Sequence, residues 1–162
     1  MRKSLFVLLM GMLVLGFAAC SDNKEDDKSL AEKLAGVYTG TIDVYSVTAE
    51  GEQGEQIGGQ LTGQKMYMTA TGENALRLEL KNFNFAGIVI ASIKVDTKVS
   101  TDGKNTISGR AENIQVIAGI TATADVTGSI AGDKADLKIN VEAPLSPDTD
   151  PIKMLVKFLG TK

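Results

Sequence analysis

The stretch Ile120–Val141, ITATADVTGSIAGDKADLKINV, indicates how most of this chain folds. Apolar or small residues alternate with polar ones in its first half, and the alternation resumes after the central Gly132-Asp133. Successive side chains of a strand point to opposite faces, so each half is typical of a strand with one buried face. Gly132 and Asp133 both tolerate positive φ, which favours a tight turn. The stretch therefore predicts an antiparallel hairpin whose β-strands share one apolar face.

Similar alternation continues on both sides of this hairpin, most regularly where Leu76, Leu78 and Leu80 alternate with charged residues. The apolar parity slips at Asn82, which predicts a bulge or bend. Asp102-Gly103 is a second hairpin-turn signal. The pattern predicts eight strands, at residues 37–47, 66–70, 76–85, 89–99, 105–117, 120–131, 135–141 and 152–158.

Short turns between most of these strands require neighbours in sequence to pair antiparallel. A sheet of this size tends to close, because closure removes edges that aggregate. The predicted fold class is therefore all-β, a single eight-stranded antiparallel up-and-down β-barrel over residues 35–162. Side chains just fill such a barrel, or leave room for one small ligand.

Two connections are longer than the others. Residues 48–64 are rich in Gly, Glu and Gln, and residues 143–151 contain three prolines. We expect the first to be a loop, either a lid over one barrel mouth or a connection without a role. Before the strands, Ser29 and Glu32 have capping-box spacing, which predicts a short helix that reaches Leu34 and stops at Gly36.

The first residues carry a targeting signal. Met1-Arg2-Lys3 is basic, Leu5 to Phe17 is almost continuously apolar, and small residues precede Cys20. This organisation is typical of a bacterial secretory signal, here residues 1–19. The apolar run is shorter than the roughly 20 residues that a membrane-spanning helix needs. Residues 20–34 would then hold Cys20, the charged tether SDNKEDDK and the short helix.

Phe17-Ala18-Ala19-Cys20 resembles the lipobox of bacterial lipoproteins. The resemblance implies that Cys20 is lipidated and becomes the first residue of the mature chain. Cys20 is the only cysteine, so an internal disulfide is excluded and lipid would consume an otherwise free thiol. The acidic tether resembles surface-export signals of some Gram-negative lipoproteins, and a solvated spacer is the equal alternative. An ordinary signal peptide with a chance cysteine is the other interpretation.

Four stretches together resemble the calycin-like, or lipocalin-like, β-barrel lipoproteins of Gram-negative bacteria. They are GVYTGT at 36–41, KNFNF at 81–85, GDKA at 132–135 and FLGTK at 158–162. Their order and spacing carry the resemblance, which covers residues 35–162. Lipocalins proper open with Gly-x-Trp, where this chain has Gly36-Val37-Tyr38. The resemblance implies a barrel fold and an outer-membrane address, and it transfers no activity to particular residues.

Composition excludes several functions. The net charge is −3, so the chain lacks the basic footprint of a nucleic-acid-binding protein. Histidine is absent, which removes Ser-His and Cys-His nucleophile systems and histidine metal sites. The aromatic residues are too few for the two girdles of a transmembrane barrel. We therefore expect a barrel with an apolar interior, and no cofactor or metal.

Carboxylates are the remaining catalytic candidates, but most lie on the polar faces of the predicted strands, where solvated surface is the better interpretation. The strand carboxylates are Asp43, Glu79, Asp96, Asp125 and Asp136. Those in turns are Asp102, Asp133, Asp148 and Asp150, whose spacing does not resemble an EF-hand.

Three functions stay open from the sequence. The favoured one is a non-enzymatic envelope lipoprotein whose barrel binds a small apolar or amphipathic ligand. The small-residue face of Ala122, Ala124 and Gly128 could leave the room, unless larger residues fill it from the opposite side. The second is a protein–protein or inhibitor module that uses rim loops such as Gly51–Gly63. The third is an enzyme with carboxylates or tyrosines inside the barrel.

Overall fold

A computed structural model describes residues 28–85, 88–117, 119–144 and 150–162. The predicted signal peptide, Cys20 and all but the last residue of the tether lie outside these residues. So do residues 145–149 of the proline-rich connection. In the part described, no helix is long and apolar enough to cross a membrane. The elements are α1 Leu30–Leu34, β1 Gly36–Val47, β2 Gln53–Gln56, β3 Leu61–Gly72, β4 Ala75–Phe85, β5 Ile88–Ser100, β6 Thr106–Ile117, β7 Ile120–Ala131, β8 Lys134–Ala143 and β9 Ile152–Thr161.

The strands form one antiparallel sheet that closes on itself. From β3 to β9 each strand pairs with its neighbour in sequence, and β1 pairs with both β3 and β9. The closing ladder runs from Thr39–Thr161 to Ser46–Met154. The predicted eight-stranded up-and-down barrel is confirmed. Its tight turns also have the expected backbone, with φ of 81° at Gly103 and 59° at Gly132.

Strand β2 is an addition to the predicted fold. It lies within residues 48–64, which the sequence predicted to be a loop, and pairs with the second half of β1. The Asp43 carboxylate accepts hydrogen bonds from the side-chain amides of Gln56 and Gln60, at 3.0 and 3.1 Å. The loop prediction was therefore wrong in part. It failed because Gly, Gln and Glu here form a ladder of backbone bonds without the apolar alternation that marks a strand.

Helix α1 lies against one end of the barrel, which we call the closed end. Its predicted capping box is present: the Ser29 hydroxyl accepts from the Glu32 N–H, and the Glu32 carboxylate accepts from the Ser29 N–H. The apolar side of α1, Ala31 and Leu34, is buried in the barrel core. Because β1 starts beside α1, the other end of β1 defines the opposite, open end of the barrel.

The closed end is filled by large side chains that solvent does not reach, including Tyr38, Leu76, Ile130 and Phe158. Their alternation with outward residues follows the predicted faces of the strands. At Asn82 the backbone adopts φ of 51°, while the pairing of β4 with β5 continues without a shift. The predicted irregularity is thus a bend, and it lets both Leu80 and Phe83 be buried.

Candidate ligand-binding site

An apolar cavity of about 250 Å³ lies inside the barrel, toward the open end. All eight barrel strands contribute to its wall, whereas α1 and β2 contribute nothing. Nineteen described side chains line it, all aliphatic residues, methionines or phenylalanine. Leu78, Leu80, Phe83 and Ile93 form one side, and Ala122, Ala124 and Val126 of β7 form another. The cavity therefore offers an internal surface on which only dispersion and hydrophobic contacts are available.

Small residues of β7 form part of the cavity wall. Ala122 and Ala124 are buried and line the cavity, as the sequence suggested. Gly128, the third member of that predicted face, does not line it. A Cβ atom at Gly128 would meet the backbone of Asp136 and Leu137 instead. The small-residue face therefore has two roles. Ala122 and Ala124 border the cavity, whereas Gly128 lets β7 and β8 approach closely.

The described interior contains no buried side-chain polar atom without a hydrogen-bond partner. Thr97 and Tyr38 carry buried hydroxyls, and these donate to the carbonyls of Leu76 and Leu34, each at 2.9 Å. An apolar cavity without polar partners stays dry, since a water there would lose its hydrogen bonds.

Two seams flank the cavity where neighbouring strands stop pairing. In the described residues, the β3–β4 ladder ends toward the open end at Met66–Leu80, and the β5–β6 ladder ends at Thr97–Gly109. The β4–β5 ladder continues between these seams as far as Phe85–Ile88. Residues 81–96 therefore form a hairpin joined to the barrel mainly through its base. We call this the β4–β5 hairpin.

Val89 in this hairpin is an exception to the burial pattern of its strand. It has the same parity as Val95, Thr97 and Val99, but its side chain is 61% exposed whereas those three are buried. In the described residues, this part of the hairpin has no ladder with β3 or β6, so the alternation of its residues does not by itself predict which of them are buried. The seams are visible only in the strand pairing, because no residue pattern in the sequence marks where a ladder ends.

The candidate catalytic carboxylates lie away from the cavity. Asp96 forms a two-bond ion pair with Arg77, at 2.7 and 3.0 Å, and Asp125 accepts from Arg110 at 2.7 Å. Asp136 is exposed on β8, and Asp43 binds glutamine side chains as described above. None of these carboxylates lines the cavity.

Glu79 belongs to a small polar network on the outer surface. Its carboxylate accepts a hydrogen bond of 2.9 Å from Ser92 and lies within 3.5 Å of the ammonium groups of Lys81 and Lys94. The Ser92 hydroxyl, followed by these two lysines, lowers the pKa of Glu79 below its ordinary value. The carboxylate is thus held ionised by its neighbours, which is the state of a structural ion pair.

No cluster of metal-ligating side chains occurs among the described residues. Asp102, Asp133 and Asp150 are exposed, whereas Asp148 lies outside the described part. The segment 48–64, which the sequence offered as a lid, contributes no residue to the cavity wall. Its Ile57 packs against the core, and the Ile57 N–H donates to the Val44 carbonyl at 2.7 Å.

The fold and the cavity together define an antiparallel β-barrel with an apolar interior and room for a small molecule. The family model of the calycin-like beta-barrel domain matches residues 34–161, and the chain belongs to that family. No curated protein matches the sequence.

Two solved structures are similar to the chain. One is a candidate outer membrane protein from Bacteroides fragilis, with 19% identity and a TM-score of 0.58, over 82% of this chain and 52% of that one. The other is an auxiliary nutrient binding protein from Bacteroides thetaiotaomicron, with 13% identity and a TM-score of 0.32, over 79% of this chain and 45% of that one. This chain spans roughly half of each of those chains. The first likeness supports the barrel fold.

Proposed function

We propose that this protein is a membrane-anchored envelope lipoprotein whose barrel binds a small apolar or amphipathic molecule. The observation that carries the proposal is the cavity of about 250 Å³ with a wholly apolar described lining. Proteins keep most of their interior close-packed, so an unfilled space of this size needs a reason. A ligand that fills it restores the missing contacts at no cost in buried polar groups.

The proposed role is binding and not catalysis. A general acid or base must lie within hydrogen-bond reach of the reacting group. The described cavity wall has no side chain with a titratable group, and the carboxylates that the sequence offered are on the outer surface. These positions argue against the carboxylate enzyme and favour the binding protein.

The anchor is the lipid proposed for Cys20, after removal of residues 1–19. Two or more acyl chains give stable membrane attachment, because each buried methylene contributes about 0.8 kcal/mol. The chain enters the barrel through α1 at the closed end, so a tether from Cys20 leads to that end. We infer an outer-membrane location with the open end of the barrel directed away from the anchoring leaflet.

The anchor is tested by labelled palmitate in cells that make the wild type or Cys20→Ala. Wild type should incorporate label and sediment with membranes, and Cys20→Ala should do neither. An unlabelled wild type whose amino terminus still carries Met1 would contradict the anchor. That result would leave the proposed ligand binding untouched, because the barrel does not include Cys20.

The binding role is tested with decan-1-ol on lipid-free protein, measured by titration calorimetry. Wild type should bind it, and Ala124→Leu should bind more weakly because the added methyl groups occupy the cavity. Thr127→Leu, on the exposed face of the same strand, is the matched control and should bind like wild type. Failure of wild type to bind decan-1-ol, or equal binding by Ala124→Leu, would contradict the proposal.

A protein–protein module is the second candidate, and the position of β2 favours it. Strand β2 ends the sheet order, so its outer edge has no strand partner in the described part of the chain. An extended peptide could pair with such an edge by strand addition. Gly54→Pro should then remove any partner captured from solubilised membranes by wild type. Unchanged capture would contradict this candidate.

A further inference from the structure

The charges around the open end are mostly negative. We define the rim by the described residues 46–56, 84–85, 88–89, 114–117, 119–121, 141–144 and 150–154. Its acidic residues are Glu50, Glu52, Glu55, Glu142 and Asp150, and its one basic residue is Lys153. The Lys153 ammonium already lies 3.4 Å from the Glu142 carboxylate. No rim cation is therefore free to receive a negative headgroup.

Several basic side chains lower on the outer wall are also engaged. Arg77 binds Asp96, Arg110 binds Glu112 and Asp125, and Lys81 and Lys94 both lie beside Glu79. All of these contacts are on the outer surface of the barrel. Lys157, which lies opposite Asp43 on the outer face, has its ammonium 5.0 Å from the centre of the Tyr45 ring.

The barrel interior offers a charged group even fewer polar partners than the rim does. Its described wall has no donor or acceptor side chain, and the buried hydroxyls of Thr97 and Tyr38 are already bonded. Moving an unpaired carboxylate into such surroundings costs far more than moving a neutral group of similar size. Whatever enters the cavity must therefore leave any charge outside, and outside it meets the acidic rim.

The cavity volume sets the size of the part that enters. An apolar cavity of about 150 Å³ accepts benzene, which corresponds to about 25 Å³ for each carbon. On that scale, a cavity of about 250 Å³ accommodates on the order of ten carbons. This is a medium-length alkyl chain or a bicyclic ring system.

We propose that the cavity selects uncharged ligands with an apolar part of about ten carbons, and discriminates against carboxylate amphiphiles of the fatty-acid type. The inference rests on the proposed binding function and specifies its ligand class. Selection arises from two separate features, a wall without polar groups and a rim whose free charges are acidic.

The test compares three ten-carbon compounds at pH 8 on the lipid-free wild type: decan-1-ol, decylamine and decanoate. All three present the same chain, so differences in affinity report the headgroup. We expect decan-1-ol to bind best and decanoate about tenfold or more weakly, because its charge is unpaired at the mouth. The affinity of decylamine should lie between those two, since its ammonium is attracted by Glu50 and Glu52 but cannot enter the apolar cavity.

The outcomes separate this inference from the function on which it rests. Binding of decan-1-ol with weak binding of decanoate supports both. Binding of decanoate as tight as that of decan-1-ol, or tighter than that of decylamine, overturns the inference and leaves the binding function in place. Absence of binding by all three compounds overturns the binding function and the inference together.

Discussion

The phenolic hydroxyl of Tyr38 donates a hydrogen bond of 2.9 Å to the backbone carbonyl of Leu34. Tyr38 is fully buried and Leu34 nearly so. The bond satisfies a carbonyl at the end of α1, where helices leave such groups without intrahelical partners. It also fastens α1 to β1, so that the helix closes the end of the barrel opposite the cavity.

Tyr38→Phe should destabilise the fold, because it leaves the Leu34 carbonyl buried and unpaired. We expect a loss of about 1–3 kcal/mol in the free energy of unfolding, measured by urea titration. Tyr67→Phe is the control: its ring lies on the outer surface, with the Lys81 ammonium 4.6 Å from the ring centre. Equal stability of Tyr38→Phe and wild type would show that the bond does not hold α1 in place.

Stability should also fall at alkaline pH, and Tyr38 should be one cause. Burial, and to a smaller extent the charge of Asp133, raises the pKa of Tyr38 above its ordinary value of 10.0. Above that pH the unfolded chain loses the phenolic proton before the folded chain does, so unfolding becomes more favourable. The stability that Tyr38 contributes is thus complete below pH 10 and lost as the pH rises through the folded-state pKa.

The measurement is urea unfolding between pH 8 and pH 11 for wild type and Tyr38→Phe. The difference in stability between the two should shrink as the pH rises, since the variant has no hydroxyl at position 38. A difference that stays constant over this range would mean that Tyr38 does not titrate differently in the two states.

The sequence was sufficient for the barrel but insufficient for the shape of its interior. The predicted inward residues on β7, Ala124 and Val126 among them, are buried because a strand with one wet face must alternate. The same alternation cannot distinguish Gly128, which permits close strand approach, from Ala124, which borders empty space. That distinction depends on residues across the barrel, and strand periodicity carries no information about them.

Paired substitutions at these two positions test this distinction. Gly128→Ala should destabilise by about 1–3 kcal/mol, because its Cβ would press on the Leu137 Cα, at 2.8 Å, and on the Asp136 carbonyl. Ala124→Val should be neutral or stabilising, because its added methyl groups extend into the cavity. Urea unfolding of both variants gives the comparison. Similar losses at both positions would mean that the cavity wall is as tightly packed as the strand contact.

The pairing pattern around the cavity makes a further prediction about local opening. The β4–β5 hairpin is bordered by the two seams, whereas Ala75 to Leu80, Thr97 and Lys98 at the base of the same strands pair on both sides. Segments with fewer ladder bonds open at lower free energy than the core. Amides of residues 88–96 should therefore exchange with deuterium faster than those of residues 76–80 and 97–100.

Mass spectrometry of peptides from these segments after deuterium labelling would measure the difference in exchange rate. The same measurement with decan-1-ol present would show the effect of a filled cavity. Phe83 and Ile93 of the hairpin line the cavity, so a molecule that fills the cavity gives the hairpin contacts that the missing neighbouring strands do not. Exchange in residues 88–96 should slow when decan-1-ol is present, while exchange in residues 97–100 should change little. Equal exchange in hairpin and base without ligand would contradict the seams, because a continuous barrel wall protects both alike.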